Sequence, residues 1–450
     1  MKSLSSRTKI KKAEPWAIGQ NLFLTVLMAL MFTFVGIVQS WNVAFSLFNM
    51  CLISAIMSLG VNIQWGYAGL FNAGVMGFAA LGGLAAVLFS MAPVTSAWAV
   101  GGPRVLIGLA VGFVTVIITR WLWIHLKARK VKYGLTFLFV IAGYLMVRVI
   151  VDPAISAIEA VDPARAGYLG GLGMPVILSW LVGGLLAAGV AFFVGKISLG
   201  LRSDYLAIAT LGISEIIIYI LKFEDWLTRG VKNVNGIPRP VPYEVELRES
   251  NWFQHFTVDY NLSSIEASSL IVKICYSTLF IIVLLILIWL SETALRSPWG
   301  RMMRAIRDNE MAANAMGKDV TWRHLQVFVI GSAVIGVAGA MLVTLDGQFT
   351  PTSYQPLRFT FLIWVMVIVG GSGNNWGSVL GGFVIWFFWI EAEPIGLWLI
   401  TIFTSGLESS HWLRLHLIEN AAHTRLITMG LILLLTLRFA PRGLIPEEKR

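Results

Sequence analysis

Runs of apolar residues, most of them near twenty residues long, alternate with short polar segments along the whole chain. A helix rises about 1.5 Å per residue, so about twenty residues cross a bilayer hydrocarbon core of about 30 Å. The expected fold class is therefore all-α: a polytopic helical membrane protein with about 10–12 transmembrane or half-spanning helices. The predicted spans are residues 16–38, 42–61, 67–91, 104–120, 133–151, 174–196, 204–222, 267–291, 324–346, 359–372, 376–391 and 424–438.

One of these runs is too short to cross a bilayer by itself. Residues 359–372 would form a helix of about 21 Å, against a hydrocarbon core of about 30 Å. The run ends at "GGSGNNWG", which is typical of a re-entrant or interrupted helix. The predicted organisation is a basic tail at 1–15, a transmembrane domain at 16–440 and a second tail at 441–450.

Composition fits a helical membrane protein better than any soluble class of protein. The chain is 57% hydrophobic and only 13% charged, and its mean hydropathy is +0.76. Its 43 glycines fit membrane helices, which associate by close backbone approach at small residues. Cys51 and Cys275 both lie in apolar runs, so we expect packed free thiols rather than a disulfide.

The net charge of +10 reflects membrane topology and indicates no nucleic-acid partner. Of the 34 lysines and arginines, 22 fall in five patches that alternate with the apolar runs, as the positive-inside rule requires. The predicted topology places these patches, both termini and the loop 296–323 on the cytoplasmic side, and the loop 222–266 on the outer side. The first run is too long for a signal peptide, so we expect it to be an uncleaved span.

Small residues recur at i, i+4 and i+8 in three places. The three stripes are Gly69, Ala73 and Gly77; Ser332, Gly336 and Ala340; and Gly373, Gly377 and Gly381. On a helix, each stripe would form a flat face that a neighbouring backbone can approach closely. The pattern indicates either static packing or sliding seams between helices.

Polar residues inside the apolar runs need a partner or a water-filled cavity, because an unsatisfied polar group there costs several kcal/mol. Glu215 lies midway along its run and indicates either a structural hydrogen bond or a place in a polar pathway. Gln64 and Asn72 present the same alternative. Asn374 and Asn375 follow the short run, where an asparagine commonly caps a helix.

A polar, helix-prone segment interrupts the apolar pattern at residues 301–317. Gly317 is placed to end the helix. Arg304 with Asp308, and Arg307 with Glu310, are spaced for ion pairs along one helix. Helical phasing predicts one face formed by Met302, Ala305, Ile306, Ala312, Ala313 and Met316.

That segment has two interpretations: a helix resting on lipid head groups, or a helix that docks against another protein. Its apolar face is rich in alanine and small for a membrane anchor. Its polar face carries both signs of charge. These features favour protein docking.

The sequence "EMAANAMG" at residues 310–317 resembles the coupling loop of ABC importer permeases, and the wider chain is similar to the branched-chain amino-acid permeases of that class. Glu310, Ala312, Ala313 and Gly317 occupy the motif positions. Four more blocks follow the family's order: "NIQWGYAGLFNAGVMGFAALGG" (62–83), "GLRSDYLAIATLGISEI" (200–216), "VGGSGNNWGSVLGG" (369–382) and "LRFAPRGLI" (437–445).

The resemblance implies a permease subunit of an ATP-driven importer in the bacterial inner membrane, carrying branched-chain or related amino acids. The implied partners are a homologous second permease, two ATP-binding subunits and a periplasmic solute-binding protein, with lipid around the spans. ATP and Mg²⁺ would be held by the ATP-binding subunits. This chain has no G-x-x-x-x-G-K-[ST] motif, and we expect it to bind no cofactor or metal and to have no catalytic site.

Two groups of site residues follow from the resemblance and from the patterns above. Contact with the ATP-binding subunits is expected at Arg304, Arg307, Glu310, Ala312, Ala313 and Gly317. The candidate pathway or helix-seam residues are Tyr67, Gly69, Asn72, Ala73, Gly77, Tyr205, Thr210, Glu215, Gly373, Asn374 and Gly377.

The chain departs from the family pattern at "LTRGVKNVNGIPRP" (227–240) and in the long apolar segment 92–173. An importer of the same architecture for urea or short-chain amides therefore stays open. So does an ion-coupled secondary transporter, of which the short run 359–372 is the one hint. A membrane-embedded enzyme is the third alternative, although the chain has no paired catalytic constellation. The loop 222–266 carries both signs of charge and is either a docking site for the binding protein or a solvated loop.

Overall fold

The protein is described by a computed structural model that covers residues 15–126, 129–163, 167–408 and 411–447. Within these ranges the chain is almost entirely helical. The helices are α1 (Pro15–Val38), α2 (Trp41–Ala68), α3 (Val75–Ser90), α4 (Thr95–His125), α5 (Arg129–Glu159), α6 (Val176–Ser198), α7 (Ser203–Phe223), α8 (Asp225–Thr228), α9 (Glu244–Glu249), α10 (Asn251–Asp259), α11 (Ser264–Arg296), α12 (Pro298–Asp308), α13 (Glu310–Ala315), α14 (Val320–Asp346), α15 (Pro356–Gly370), α16 (Asn375–Phe403), α17 (Trp412–Glu419) and α18 (Thr424–Phe439).

Each predicted span corresponds to an apolar helix. In the described ranges, nine helices are long and apolar enough to cross a membrane: α2, α4, α5, α6, α7, α11, α14, α16 and the helical segment 421–439 that contains α18. Three apolar helices are shorter: α1 over residues 22–38, α3 and α15. The prediction of an all-α polytopic membrane protein is confirmed.

One difference from the predicted spans lies between α2 and α3. In place of spans at 42–61 and 67–91, α2 has 28 residues and α3 has 16. Gly69 ends α2 because its φ of +70° is a left-handed conformation that favours glycine. Residues 69–74 are not helical. The predicted stripe of Gly69, Ala73 and Gly77 along one helix face is therefore wrong, since only Gly77 lies on a helix.

The chain divides into two compact units. Unit 1 comprises the described parts of residues 1–71, 241–334 and 361–450, and unit 2 comprises those of residues 72–240 and 335–360. In unit 1, α2 packs against α11 and α16. Residues 51–64 of α2 are all buried. A helix that is apolar and buried on every side forms the interior of a helical bundle, so α2 is the central helix of this unit.

Close backbone approach holds unit 2 together. Here α3 packs against α6 and α7. A Cβ atom added to Gly82 would collide with the carbonyl oxygen of Gly336, and one added to Gly183 would lie 3.1 Å from the Cβ of Ala340. The predicted stripe that includes Gly336 and Ala340 is thus helical, and these two residues form a packed helix contact as small residues do in membranes.

Two long helices, α4 and α5, pack against each other within unit 2. Each has 31 residues, in place of the shorter predicted spans at 104–120 and 133–151. Glycine again allows the approach, since a Cβ on Gly108 would collide with Val151 and one on Gly143 with Thr115.

The segment 222–266 contains short regular elements. In unit 2, strand β1 (Val234–Asn235) pairs antiparallel with β2 (Gln348–Phe349), with Val234 opposite Phe349. Lys232 forms an ion pair with Asp225 at 3.2 Å. In unit 1, α9 packs against α10 and α11.

Candidate functional site

The segment predicted as one amphipathic helix at 301–316 is two helices. α12 begins at Pro298, and the Ser297 hydroxyl accepts a hydrogen bond from the backbone N–H of Gly300. The chain becomes extended at Asn309, whose side chain then caps α13 by accepting from the N–H of Ala312 at 3.0 Å. The prediction of a single helix is wrong here because an asparagine side chain competes for backbone hydrogen bonds and favours a cap.

Gly317 ends α13, as predicted. Its φ is +76°. Its N–H donates to the carbonyl of Asn314 at 2.9 Å, and the N–H of Lys318 donates to that of Ala313 at 3.2 Å. This pair of bonds is the Schellman arrangement, which satisfies the last carbonyls of a helix.

The two helices differ in burial, and the predicted apolar face is only partly correct. Met303 and Ile306 of α12 are 0% and 1% exposed. Met303 lay outside the predicted face. Met316, which the prediction placed on that face, is 81% exposed, and Met311 is 84% exposed. No residue of α13 is buried.

The predicted ion pairs along this segment are replaced by other contacts. Arg304 donates to the carbonyl of Leu295 at 3.3 Å instead of pairing with Asp308. Arg307 donates to the carbonyl of Gly66 at the end of α2, and its other guanidinium nitrogens lie 2.9 Å from Glu447 and 3.5 Å from Asp308. Both arginines, predicted to contact the ATP-binding subunits, thus also face their own chain.

A buried polar cluster lies beside Arg307 within unit 1. The hydroxyl of Tyr67 donates to the side-chain oxygen of Asn375 at 2.5 Å, and the amide of Asn62 donates to the same oxygen at 3.2 Å. The amide of Asn375 in turn donates to Glu292 at 2.9 Å. Asn62 also accepts from the N–H of Gly373 at 2.8 Å. These bonds tie the end of α2 to the start of α16 and to α11.

The link between α15 and α16 lies beside this polar cluster. Asn374 caps α16, as an asparagine at a helix break was expected to do, by accepting from the N–H of Gly377 at 3.2 Å. Gly373 precedes the helix with a φ of +86°. The predicted helical stripe of Gly373, Gly377 and Gly381 is therefore wrong at its first position. A Cβ on Gly377 would lie 2.7 Å from the carbonyl oxygen of Gly370, so this glycine is a packing site.

A polar cleft opens beside the cluster. Its volume is about 210 Å³. The residues that line it are Glu292, Leu295, Arg296, Arg304, Gly373, Asn374, Asn375, Trp376 and Glu447. Arg296 lies 3.8 Å from Glu292. Within the described ranges, His, Cys, Asp and Glu side chains form no group of three that could hold a metal ion.

A second group of predicted residues meets within unit 2. The hydroxyl of Thr210 accepts from the N–H of Ala73 at 3.0 Å, and Asn72 accepts from the N–H of Gly74 at 2.8 Å. A Cβ on Gly77 would lie 2.8 Å from Ser214. These contacts fix the non-helical link before α3 against α7.

Two predicted pathway residues on α7 stand apart from this group. Tyr205 is 62% exposed, and Glu215 is half-buried. Neither contributes to the contacts that join α7 to the link before α3.

Sequence reasoning missed several residues of these sites. Glu292 lies near the polar end of α11 and Glu447 lies in the polar segment after α18, where a carboxylate gives no distinctive sequence signal. Glu391 is only 3% exposed and accepts from Gln39 at 2.7 Å, beside an apolar cavity of about 700 Å³. A signal was available for Glu391, because a carboxylate in the apolar run of α16 stands out.

Comparison with known proteins places the chain in a family. A model of the family described as branched-chain amino acid transport system, permease component, matches residues 154–436. That range includes α12 and α13, whereas the blocks at 62–83 and 437–445 lie outside it. No solved structure matches the chain.

Individual relatives agree with this match. The chain is 30% identical over 237 residues to the high-affinity branched-chain amino acid transport system permease protein LivM of Salmonella typhimurium, covering 51% of this chain and 53% of the relative. It is 28% identical over 269 residues to a probable LivM of Methanocaldococcus jannaschii, covering 59% and 67%. The fructose import permease protein FrcC of Rhizobium meliloti is 25% identical over 127 residues, covering 27% and 34%.

The chain spans about half the length of the LivM protein of Salmonella typhimurium. The family model nevertheless covers more than half of the 450 residues of this chain. The apolar helices and this match together show that the chain is a multi-pass membrane protein and belongs to the family of branched-chain amino acid transport system permease components.

Proposed function

We propose that this chain is the permease subunit of an ATP-driven importer for branched-chain or related amino acids. The observation that carries the proposal is the family match over residues 154–436, which spans the paired helices α12 and α13. Within that range α13 presents side chains that its own chain leaves uncovered, with Met311 84% exposed. An uncovered helix of this kind suits a docking surface for a partner protein.

In the proposed assembly, α13 docks against an ATP-binding subunit on the cytoplasmic side of the inner membrane. A homologous second permease completes the pore, and a periplasmic protein delivers the solute to the outer side. Two ATP-binding subunits hold ATP and Mg²⁺. ATP binding shifts the pore between its orientations only if α13 binds the closed and open ATPase dimers with different affinity. The mixed charges of 222–266 suit contact with the binding protein.

The solute is proposed from relatives whose names specify branched-chain amino acids. The similarity to a fructose import permease supports the view that related permeases carry chemically different solutes. Urea or a short-chain amide is therefore the alternative cargo. An ion-coupled secondary transporter would instead show uptake that follows a proton or sodium gradient without ATP.

The test is uptake of labelled leucine by cells that lack this gene, complemented by wild type or by Met311→Asp. We expect wild type to restore uptake that excess urea does not reduce. Met311→Asp is expected to reduce uptake at least tenfold, because a charge replaces an apolar side chain at the proposed interface, with unchanged amounts of protein in the membrane. Leu201→Asp is the matched control, because Leu201 is also exposed, at 46%, and lies between α6 and α7, outside the predicted spans.

Three results would contradict the proposal. Urea transport without leucine transport would keep the importer and change its solute. Uptake that persists after ATP depletion would favour the ion-coupled class. Equal uptake by Met311→Asp and Leu201→Asp would remove α13 as the docking surface.

A further inference from the structure

The carboxyl-terminal segment 440–447 packs against the last turn of α15 and the link that follows it. The N–H of Leu444 donates to the carbonyl of Val369 at 2.8 Å, and the N–H of Ile445 donates to that of Gly370 at 2.9 Å. Ile445 is 8% exposed. A Cβ on Gly443 would collide with the backbone of Gly371. Main-chain hydrogen bonds and direct backbone contact therefore fix the position of this segment.

The same segment reaches the cap of α16. The side-chain amide of Asn374 donates to the carbonyl of Pro446 at 3.2 Å, while its oxygen caps the helix at Gly377. One asparagine thus connects the carboxyl-terminal segment to the first turn of α16. A displacement of residues 446–447 would act directly on this cap.

Arg307 joins this segment to two helices. One guanidinium nitrogen donates to the carbonyl of Gly66 in the last turn of α2, where the helix dipole is negative. Another nitrogen lies 3.2 Å and 2.9 Å from the two carboxylate oxygens of Glu447. The side chains of Arg307 and Glu447 are 25% and 28% exposed. The planar guanidinium has five donors, so it makes these contacts at once, whereas a lysine ammonium offers a single point charge.

We propose that Arg307 and Glu447 are positioning residues that connect movement of α12 to the ends of α2 and α16, with segment 440–447 as the connecting strap. This inference rests on the proposed function, in which the ATP-binding subunits move α12 and α13. The anchored face of α12, with Met303 and Ile306 buried, transmits the displacement. When α12 moves, Arg307 displaces the end of α2 through its hydrogen bond to Gly66. Glu447 displaces the start of α16 through the adjacent Pro446, whose carbonyl is bound by Asn374.

The test uses the complete transporter in proteoliposomes and measures solute imported per ATP hydrolysed. Arg307→Lys keeps the positive charge but loses the planar set of five hydrogen-bond donors. Glu447→Gln removes the ion pair. We expect each to lower the import per ATP at least threefold, with wild-type amounts of ATP-binding subunits copurifying. The double exchange Arg307→Glu with Glu447→Arg is expected to recover part of what Arg307→Glu alone loses. Asp152→Asn is the control, since it breaks an exposed ion pair with Arg148 at 2.7 Å.

An unchanged ratio in both Arg307→Lys and Glu447→Gln would overturn the inference. So would loss of the ATP-binding subunits from Arg307→Lys, since Arg307 would then belong to the docking surface itself. Failure of the proposed function looks different, because wild-type protein would show neither ATP-dependent import nor copurifying ATP-binding subunits.

Discussion

α12 and α13 are neighbours on one short polar segment, yet the chain uses them in opposite ways. α12 buries Met303 and Ile306, and Arg307 is bound to the end of α2. α13 buries no residue, and its Met311 is 84% exposed. Asn309 separates the two by ending one helix and capping the next.

A single amphipathic pattern can therefore encode a helix that is anchored in its own chain, followed by a helix whose surface is exposed to a partner. A continuous helix would have turned the apolar residues of both halves toward one side. Because the helix breaks at Asn309, the side chains of α13 do not point to the same side as those of α12. α12 is fixed by packing against its own chain, and α13 keeps its side chains available to a partner.

The largest expected effect comes from placing a charge on the anchored side. Met303→Asp buries an unpaired carboxylate and should destabilise the protein by more than about 3 kcal/mol. Met311→Asp, at an 84% exposed position, should leave stability unchanged. The measurement is the monodisperse fraction in size-exclusion chromatography and the thermal unfolding midpoint in detergent. Equal thermal unfolding midpoints for the two variants would contradict the assignment of α12 as a buried anchor and α13 as an exposed docking helix.

A smaller effect is expected where α13 ends. Gly317→Ala forces a residue with a Cβ into a φ of +76°, at a cost of about 1–2 kcal/mol to the end of α13. Nothing lies within 4 Å of the added Cβ, so backbone conformation is the whole effect. Hydrogen exchange of the Lys318 N–H should accelerate. Gly317→Asn should accelerate it less, because asparagine tolerates the left-handed region, and the reverse order would contradict this account.

The smallest effect is expected at the boundary itself. Asn309→Ala removes the cap of α13, at a cost of about 1 kcal/mol. The Ala312 N–H donates a hydrogen bond to the Asn309 side chain at 3.0 Å. Hydrogen exchange of this N–H should accelerate about fivefold in the variant. Amides inside α12 should keep their wild-type rates. If amide exchange in α12 accelerates equally, then the two helices form one cooperative element and do not act as separate anchor and docking helices.

Local patterns were sufficient to predict which segments form apolar helices, although not where each helix begins and ends. Length and apolarity of a run decide whether a segment is stable in lipid, because each helix satisfies its own backbone hydrogen bonds there. Residues that act through local backbone geometry were also predictable. Gly317 and Asn374 both serve as the helix-end residues that their position indicated.

Residues that act through distant contacts were not predictable in the same way. Asn62 and Asn375 share a hydrogen bond although they are 313 positions apart. Arg307 was predicted to contact a partner, and its actual contacts with its own chain include Glu447, 140 positions away. Spacing along a helix states which side chains share a face, and it carries no information about what that face meets.

The class of the protein followed from the sequence, because composition and periodicity set which segments are stable in a membrane and the residue blocks carry the family resemblance. Tertiary structure alone decided how α2 ends, where the segment 301–316 breaks and which charges pair. Those outcomes depend on competition between local hydrogen bonds and packing against distant parts of the chain. Gly69 and Asn309 end helices inside two segments, 67–91 and 301–316, that the sequence pattern predicted to be helical throughout.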